Sequence, residues 1–202
     1  MTNKEIYNRL RAAGMTAEGA CGMLGNMAAE SAMRPDNAQD SYGIPDDVYV
    51  AQVDGEVRDF LDSVGFGLCQ WTLASRKAKL LAFAHTRGVS IADPAMQVDF
   101  AIRELQDDPE FADVRKTLCT SHDLRACTKI VMDIYENPAV KNLGPRLDYA
   151  QMAFDDFGKS RPPSGTSVAT DFLPLLVDYI CTPEFTQNFL KYIERRKENE
   201  CT

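Results

Sequence analysis

The sequence predicts a mainly helical α+β chain, with a helical lobe interrupted once, between about residues 45 and 72, by a small β-rich lobe. Three observations lead there. Helix-starting signals recur along the chain from Thr2 to Gly144. The run Val53-Asp54-Gly55-Glu56-Val57 reads as a β-hairpin, because Asp-Gly favours a type I′ turn. The stretch GFGLCQW at 65–71 is punctuated by glycine and rich in aromatics, the pattern of loop or strand rather than helix.

The elements follow in order. Thr2-Asn3-Lys4-Glu5 is a capping box, with Gly14 past the end of the first helix. Thr16 caps a second helix running to about Ser31, and Arg34-Pro35-Asp36-Asn37 breaks the pattern. Asp46-Asp47 starts a short helix before the hairpin. Helices resume at Ser75 and stop near Gly88; Asp93-Pro94 and Asp108-Pro109 each place an N-cap before a first-turn proline. Ser121 caps a run through Tyr135, and Gly144-Pro145 opens the last helix of the main body. The expected division is a domain over 1–158, a linker over 159–168 centred on Arg-Pro-Pro-Ser-Gly, and a helical appendage over 169–202.

Composition excludes several classes. With 202 residues the chain can bury a core without staples. Acids outnumber Lys and Arg by 30 to 22, which argues against nucleic acid as partner, since that affinity comes from cations on phosphates. No run of 18 apolar residues suggests a membrane span. The N-terminus is charged and amphipathic, so the expectation is synthesis without a signal peptide, in a cytosol. The six cysteines show no CxxC spacing; free buried thiols are expected. Cys119, His122 and Cys127 are close in sequence but fit no standard zinc pattern, and no metal or cofactor is expected. A Cys119–Cys127 disulfide is not readable from spacing.

One residue raises a chemical question. In Gly25-Asn26-Met27-Ala28-Ala29-Glu30-Ser31 a lone acid ends a small, apolar run. On a helix Met23, Met27 and Glu30 share one stripe, so Glu30 points with the methionines toward the core. A carboxyl in apolar surroundings has a raised pKa and can donate a proton near neutral pH. The alternative is a helix-end glutamate reaching solvent.

The rest of the chain bears on this choice. Asn-Met-Ala-Ala-Glu-Ser is followed in order by Asp-Ser-Tyr at 40–42, Val-Asp at 53–54, Gly-Phe-Gly-Leu-Cys-Gln-Trp-Thr at 65–72 and Ser-Arg-Lys at 75–77. Leu-Leu at 80–81, Met-Gln-Val-Asp-Phe at 96–100 and Tyr-Glu-Asn-Pro at 135–138 complete the set. This ordered set resembles the phage lysozymes of the tail-tip and endolysin type, over roughly residues 5 to 157. The resemblance implies a lysozyme-like fold, with a helical lobe and a β-hairpin lobe flanking a cleft. It also implies peptidoglycan glycan strands as substrate and Glu30 as general acid. Ala32-Met33 stands where Gly-Leu is more usual in the family. Gln70 and Trp71 match the segment that lines the cleft opposite the acid; Trp71 serves equally well as a core anchor, and Gln70 as a loop residue capping backbone groups.

Glycosidases commonly pair two carboxyls, roughly 5 Å apart when retaining and roughly 6.5–9.5 Å apart when inverting. The candidates for the second are Asp54, Asp59, Asp62 and Glu136, with Asp62 taken as catalytic because it lies three residues before Gly65. Glu136 sits at a helix end, where a negative charge opposes the helix dipole. Together with Tyr42 and Tyr135 it is a candidate for substrate binding. Two other function classes compete: a peptidase or amidase using Cys69 with His85 or His122, and a non-catalytic wall-binding module. The expected setting is an endolysin made in the cytosol and acting on the wall after release, with a tail-associated piece as the alternative. The apolar appendage either packs back, engages the wall or forms a homodimer.

Overall fold

The structure, a computed structural model, describes residues 1–39 and 43–159. All of them belong to one compact unit, Met1–Ser160. Tyr42 and the expected linker and appendage lie outside the described residues.

Among the described residues there are eight α-helices: α1 Asn3–Ala12, α2 Ala17–Ser31, α3 Asp46–Asp54, α4 Ala74–Arg87, α5 Pro94–Asp107, α6 Ala112–Thr120, α7 Leu124–Ile130 and α8 Leu143–Ala153. The local signals behave as chemistry demands. Thr2 and Glu5 close the capping box of α1, Thr16 caps α2 and Asp93 caps α5 ahead of Pro94. Asp108 caps a short 3₁₀ turn, Pro109–Phe111, that leads into α6. The cap of α7 is Asp123, not Ser121: Asp123 Oδ1 accepts from Ala126 N at 3.0 Å, while Ser121 Oγ accepts from Asp123 N. The run then leaves α-geometry, continuing as a π-helical turn, Val131–Glu136.

Helix α2 is the axis of the unit. Ten of its fifteen residues are buried, so it is apolar nearly all round, as an internal helix should be. Gly19, Gly22 and Gly25, three residues apart, lie on one face. A Cβ on Gly19 would sit 2.1 Å from Leu118 O, on Gly22 3.0 Å from the Cys127 carbonyl carbon, and on Gly25 2.4 Å from Arg146 O. These three positions let α6, α7 and α8 press their backbones onto α2 in turn.

The hairpin expected at 53–57 is absent. Val53 and Asp54 form the last turn of α3, and Gly55 ends it with φ −84°, not in the left-handed region that a type I′ turn needs. Tyr49 and Val53 are buried one turn apart, a helical period that outweighs the local Asp-Gly signal. Val57, the other flank of the expected hairpin, is 82% exposed and packs on nothing that could hold a strand. Among the described residues, β-structure is limited to two isolated bridges, Ala38 with Phe66 and Phe66 with Trp71. The second lobe is therefore α3 and turns gathered on an aromatic cluster. Tyr49 stacks on Phe66 at 5.7 Å, and Phe60 meets Phe66 edge-on at 5.3 Å.

Candidate active site

Glu30 lies in the last turn of α2, its side chain 16% exposed. The chain leaves that helix through Ala32 and Met33, both with positive φ (53° and 61°). The surroundings of Glu30 are not the apolar pocket expected. Arg146, on α8, forms an ion pair with Glu30 through Nη2. Its Nε donates to Asn26 Oδ1 at 3.0 Å and its Nη1 to Asn142 O at 3.0 Å. Asn26, one turn before Glu30, in turn donates to Gly22 O and Thr128 O. The guanidinium is thus fixed at three points, and the carboxylate is oriented by it. Ser31 ties the same helix end to the glycine-rich loop, donating to Leu68 O at 3.2 Å.

Glu136 comes to the same region at the end of the π-helical turn, just before Asn137, which has φ 45°. Its Oε1 is buried and has no hydrogen-bond partner, alone in this among the buried side-chain polar atoms of the described residues. Burial, and then the charge of Glu30, push its carboxyl well above the usual range, against the opposing effects of Arg76, a hydrogen bond from the Cys69 thiol, and Arg146. The Cys69 thiol lies against this carboxyl; burial, then the Glu136 charge, push it well above an ordinary thiol.

Asp62 belongs to a different cluster. Lys77, whose side chain is 0% exposed, donates to its Oδ1 at 2.5 Å; Tyr49 OH, Arg58 and Val64 N also donate to it. Burial opposes its charge, but Lys77, Val64 N–H and Arg58 together hold its carboxyl below the ordinary range. Its lone pairs are committed to structure, and no hydrogen bond or ion pair joins it to Glu30. Asp54 is likewise occupied, accepting from Ile91 N at 3.0 Å, and Asp59 accepts from Leu61 N.

Trp71 is 1% exposed and donates Nε1–H to Glu104 Oε2 at 2.9 Å. Tyr135, also buried, donates its hydroxyl to the same oxygen at 2.8 Å. Arg76 grips both Glu104 oxygens at 2.8 Å and donates to Tyr135 O at 3.0 Å. Trp71 and Tyr135 are therefore core residues built around a buried carboxylate. Gln70, with φ 45°, donates to Asn37 O and Gly67 O at 3.2 and 3.0 Å, stitching its own loop. Of the expected set, Glu30 is tied to Arg146 and its charge acts on the buried Glu136; Asp62 stands apart, and Gln70, Trp71 and Tyr135 hold the scaffold.

Sequence reading missed Arg146 and Glu104. The signal for Glu104 was present: Gln97, Ala101 and Glu104 form a buried polar-bearing stripe on α5, the same spacing that singled out Glu30. The signal for Arg146 was weaker, being only the i, i+4 pair Asn26 and Glu30 that it spans.

The other candidates place themselves. His85 is exposed on α4, and His122 is exposed and pairs with Glu18 at 3.2 Å. Cys127 Sγ points at Thr117 O and Ser121 O, and Cys21, Cys69, Cys119 and Cys127 are free thiols. A groove of about 800 Å³ between α4 and α5, lined by Lys79, Phe83, Arg87, Phe100 and Arg103, contains neither Glu30 nor Glu136. No described helix is long and apolar enough to cross a membrane. The family model for phage tail lysozyme matches residues 1–157 of the chain.

Proposed function

Because the chain belongs to the phage tail lysozyme family, with peptidoglycan degradation as the general activity that membership carries, we propose that it is a glycosidase of peptidoglycan glycan strands with Glu30 as the general acid. The observation that carries this is Glu30 itself. It is a partly exposed carboxylate at the end of the central helix, held in one orientation by an arginine that is itself held by Asn26 and Asn142. A general acid must be fixed within hydrogen-bond reach of the oxygen it protonates, and the anchoring of its partner at Asn26 and Asn142 supplies that rigidity. The sugar-binding cleft is proposed on the Glu30 side of the molecule, with Gln70 shaping its loop wall and Tyr42 contributing from outside the described residues. Trp71 and Tyr135 support it from beneath through Glu104. In this reading Asp62 is structural.

The peptidase reading meets a physical obstacle. A cysteine nucleophile acts as thiolate, whereas Cys69 is buried, held as a thiol beside a carboxyl, and makes no hydrogen bond to either histidine. The family description favours delivery on a phage tail over release at lysis, so we place the enzyme in the particle; finding it absent from purified virions but abundant in lysing cells would restore the endolysin setting. The catalytic reading is tested with Glu30→Gln on purified peptidoglycan: saccharide release should fall at least a hundredfold, and activity close to native would reject Glu30.

A further inference from the structure

Two arginines of this protein show what the Nε and Nη2 edge of a guanidinium does with a carboxylate. Arg76 grips both oxygens of Glu104, Nε to Oε1 and Nη2 to Oε2, each at 2.8 Å. Arg9 holds Asp99 in the same way, Nε to Oδ1 and Nη2 to Oδ2. This two-toothed grip is the strong form of an arginine–carboxylate pair. Arg146 departs from it. Its Nη2 bonds Glu30 Oε1, but its Nε goes to the amide oxygen of Asn26 at 3.0 Å. Among the described residues, no hydrogen bond reaches Glu30 Oε2. Asn26 and Glu30 stand one helical turn apart on α2, so one guanidinium can span both. The Asn26 side chain is fully buried and its orientation is fixed by chemistry. Its two amide N–H groups donate to Gly22 O at 2.8 Å and Thr128 O at 3.0 Å. Reversing the amide would set its oxygen against those two carbonyls and its N–H groups against the Arg146 donor.

We infer that Asn26 is a positioning residue for the general acid: by occupying Nε of Arg146 it prevents a two-toothed grip on Glu30 and keeps Oε2 available to the leaving oxygen. This rests on Glu30 being the general acid. A two-toothed grip suits the carboxylate, which accepts at both oxygens, and disfavours the acid, which needs one of them for its proton. A carboxyl held at Oε1 alone can carry a proton on Oε2 and still accept from Arg146 through Oε1. That proton comes from solvent, to which the Glu30 side chain is 16% open. It passes from Oε2 to the leaving oxygen as the glycosidic C–O bond breaks, and Glu30 is left as the carboxylate. The water or sugar hydroxyl that bonds to the anomeric carbon gives up one proton in turn, so the balance closes. An amide oxygen is suited to the task because it satisfies Nε without bringing a second charge to Arg146. A leucine of similar shape would leave Nε unpaired and free to turn to Oε2. Asn26 acts through Arg146 and touches no sugar.

The test compares native protein, Asn26→Leu, Asn26→Ser and Glu30→Gln on soluble glycan fragments of peptidoglycan, with a crystal structure of whichever Asn26 variant is the more stable. The serine variant guards against failure to fold, because its hydroxyl can still donate to Gly22 O one turn back while being too short to reach Arg146. Either variant should lower kcat at least about tenfold and leave KM within about twofold, the mark of an interaction that matters in the transition state alone. In the crystal structure Arg146 should hold Glu30 by both oxygens, Nε having moved to Oε2. A native kcat in a folded variant overturns the inference. So does a fall in kcat with Arg146 displaced from Glu30, which would make Asn26 an anchor of the arginine and nothing more, and so does a rise in KM that accounts for the whole loss. Any of these results beside an inactive Glu30→Gln rejects the role of Asn26 and leaves Glu30 as the acid, whereas full activity in Glu30→Gln rejects both.

Discussion

Arg146 and Glu30, 116 residues apart in sequence, form an ion pair that fastens helix α8 to the end of helix α2. The pair is mostly buried, and Arg146 spends its remaining donors on Asn26 and Asn142. Removing one partner of such a pair strands the other charge, which costs more than the pair contributes. Arg146→Met should lower unfolding stability by about 3 kcal/mol and reduce saccharide release, with Glu30 no longer oriented. Arg146→Lys should recover part of the stability but little of the activity, since a single ammonium cannot serve three acceptors in a fixed plane. Urea unfolding and rate measurements on the two variants check this; a Lys variant with native activity would contradict it.

Gly25 sets how closely α8 approaches. A methyl there would fall 2.4 Å from Arg146 O and 2.7 Å from Ala150 Cβ, too near for backbone to yield without moving α8. Gly25→Ala, normally a gain within a helix, should instead destabilise by about 2 kcal/mol and lower activity by displacing Arg146. An unchanged or raised melting temperature would show that α8 is less tightly seated.

Asp62 is predicted to be structural, and pH distinguishes its role. Its carboxyl is held below the ordinary range, so it stabilises the fold above its unfolded value of about 3.9, and that contribution is lost as pH falls through the lower folded value. Lys77 partly offsets this: burial lowers its affinity for the proton despite Asp62, so its ammonium carries a cost at all pH values below its unfolded value of about 10.4. Asp62→Asn should cost about 2 kcal/mol at pH 7, with a difference from native that shrinks once the pH is low enough to protonate native Asp62. Activity of the folded variant should stay within a few-fold of native. Loss of activity without loss of stability would return Asp62 to the catalytic role.

Cys69 is buried against Glu136 with its thiol protonated. Iodoacetamide at pH 7 should leave it unlabelled in the folded protein, and Cys69→Ser should retain glycan cleavage. Rapid labelling together with loss of activity in the Ser variant would favour a cysteine nucleophile.

The elements that the sequence made legible are those whose signals are local. Thr2, Thr16, Asp93 and Asp108 cap within three residues of themselves, so their chemistry can be read without knowing the fold. The Asp54-Gly55 signal misleads because a local preference competes with the burial of Tyr49 and Val53, and burial is decided by distant residues. The site divides in the same way. Glu30 was visible from its stripe with Met23 and Met27. Its partner Arg146 and the Glu104 hub that collects Trp71, Arg76 and Tyr135 depend on contacts at sequence separations of 116, 33, 28 and 31. The misfit of Glu136 is legible as a charge that opposes the helix dipole; what the sequence does not carry is that its Oε1 is buried without a hydrogen-bond partner.

The most direct measurement is mass spectrometry of the products released from purified peptidoglycan by the native protein and by Glu30→Gln at equal concentration. The account predicts saccharide fragments with new glycan ends from the native protein and almost none from the variant, reducing ends marking hydrolysis and anhydro ends marking transglycosylation. Peptide fragments with intact glycan, or the same saccharides from Glu30→Gln, would contradict it.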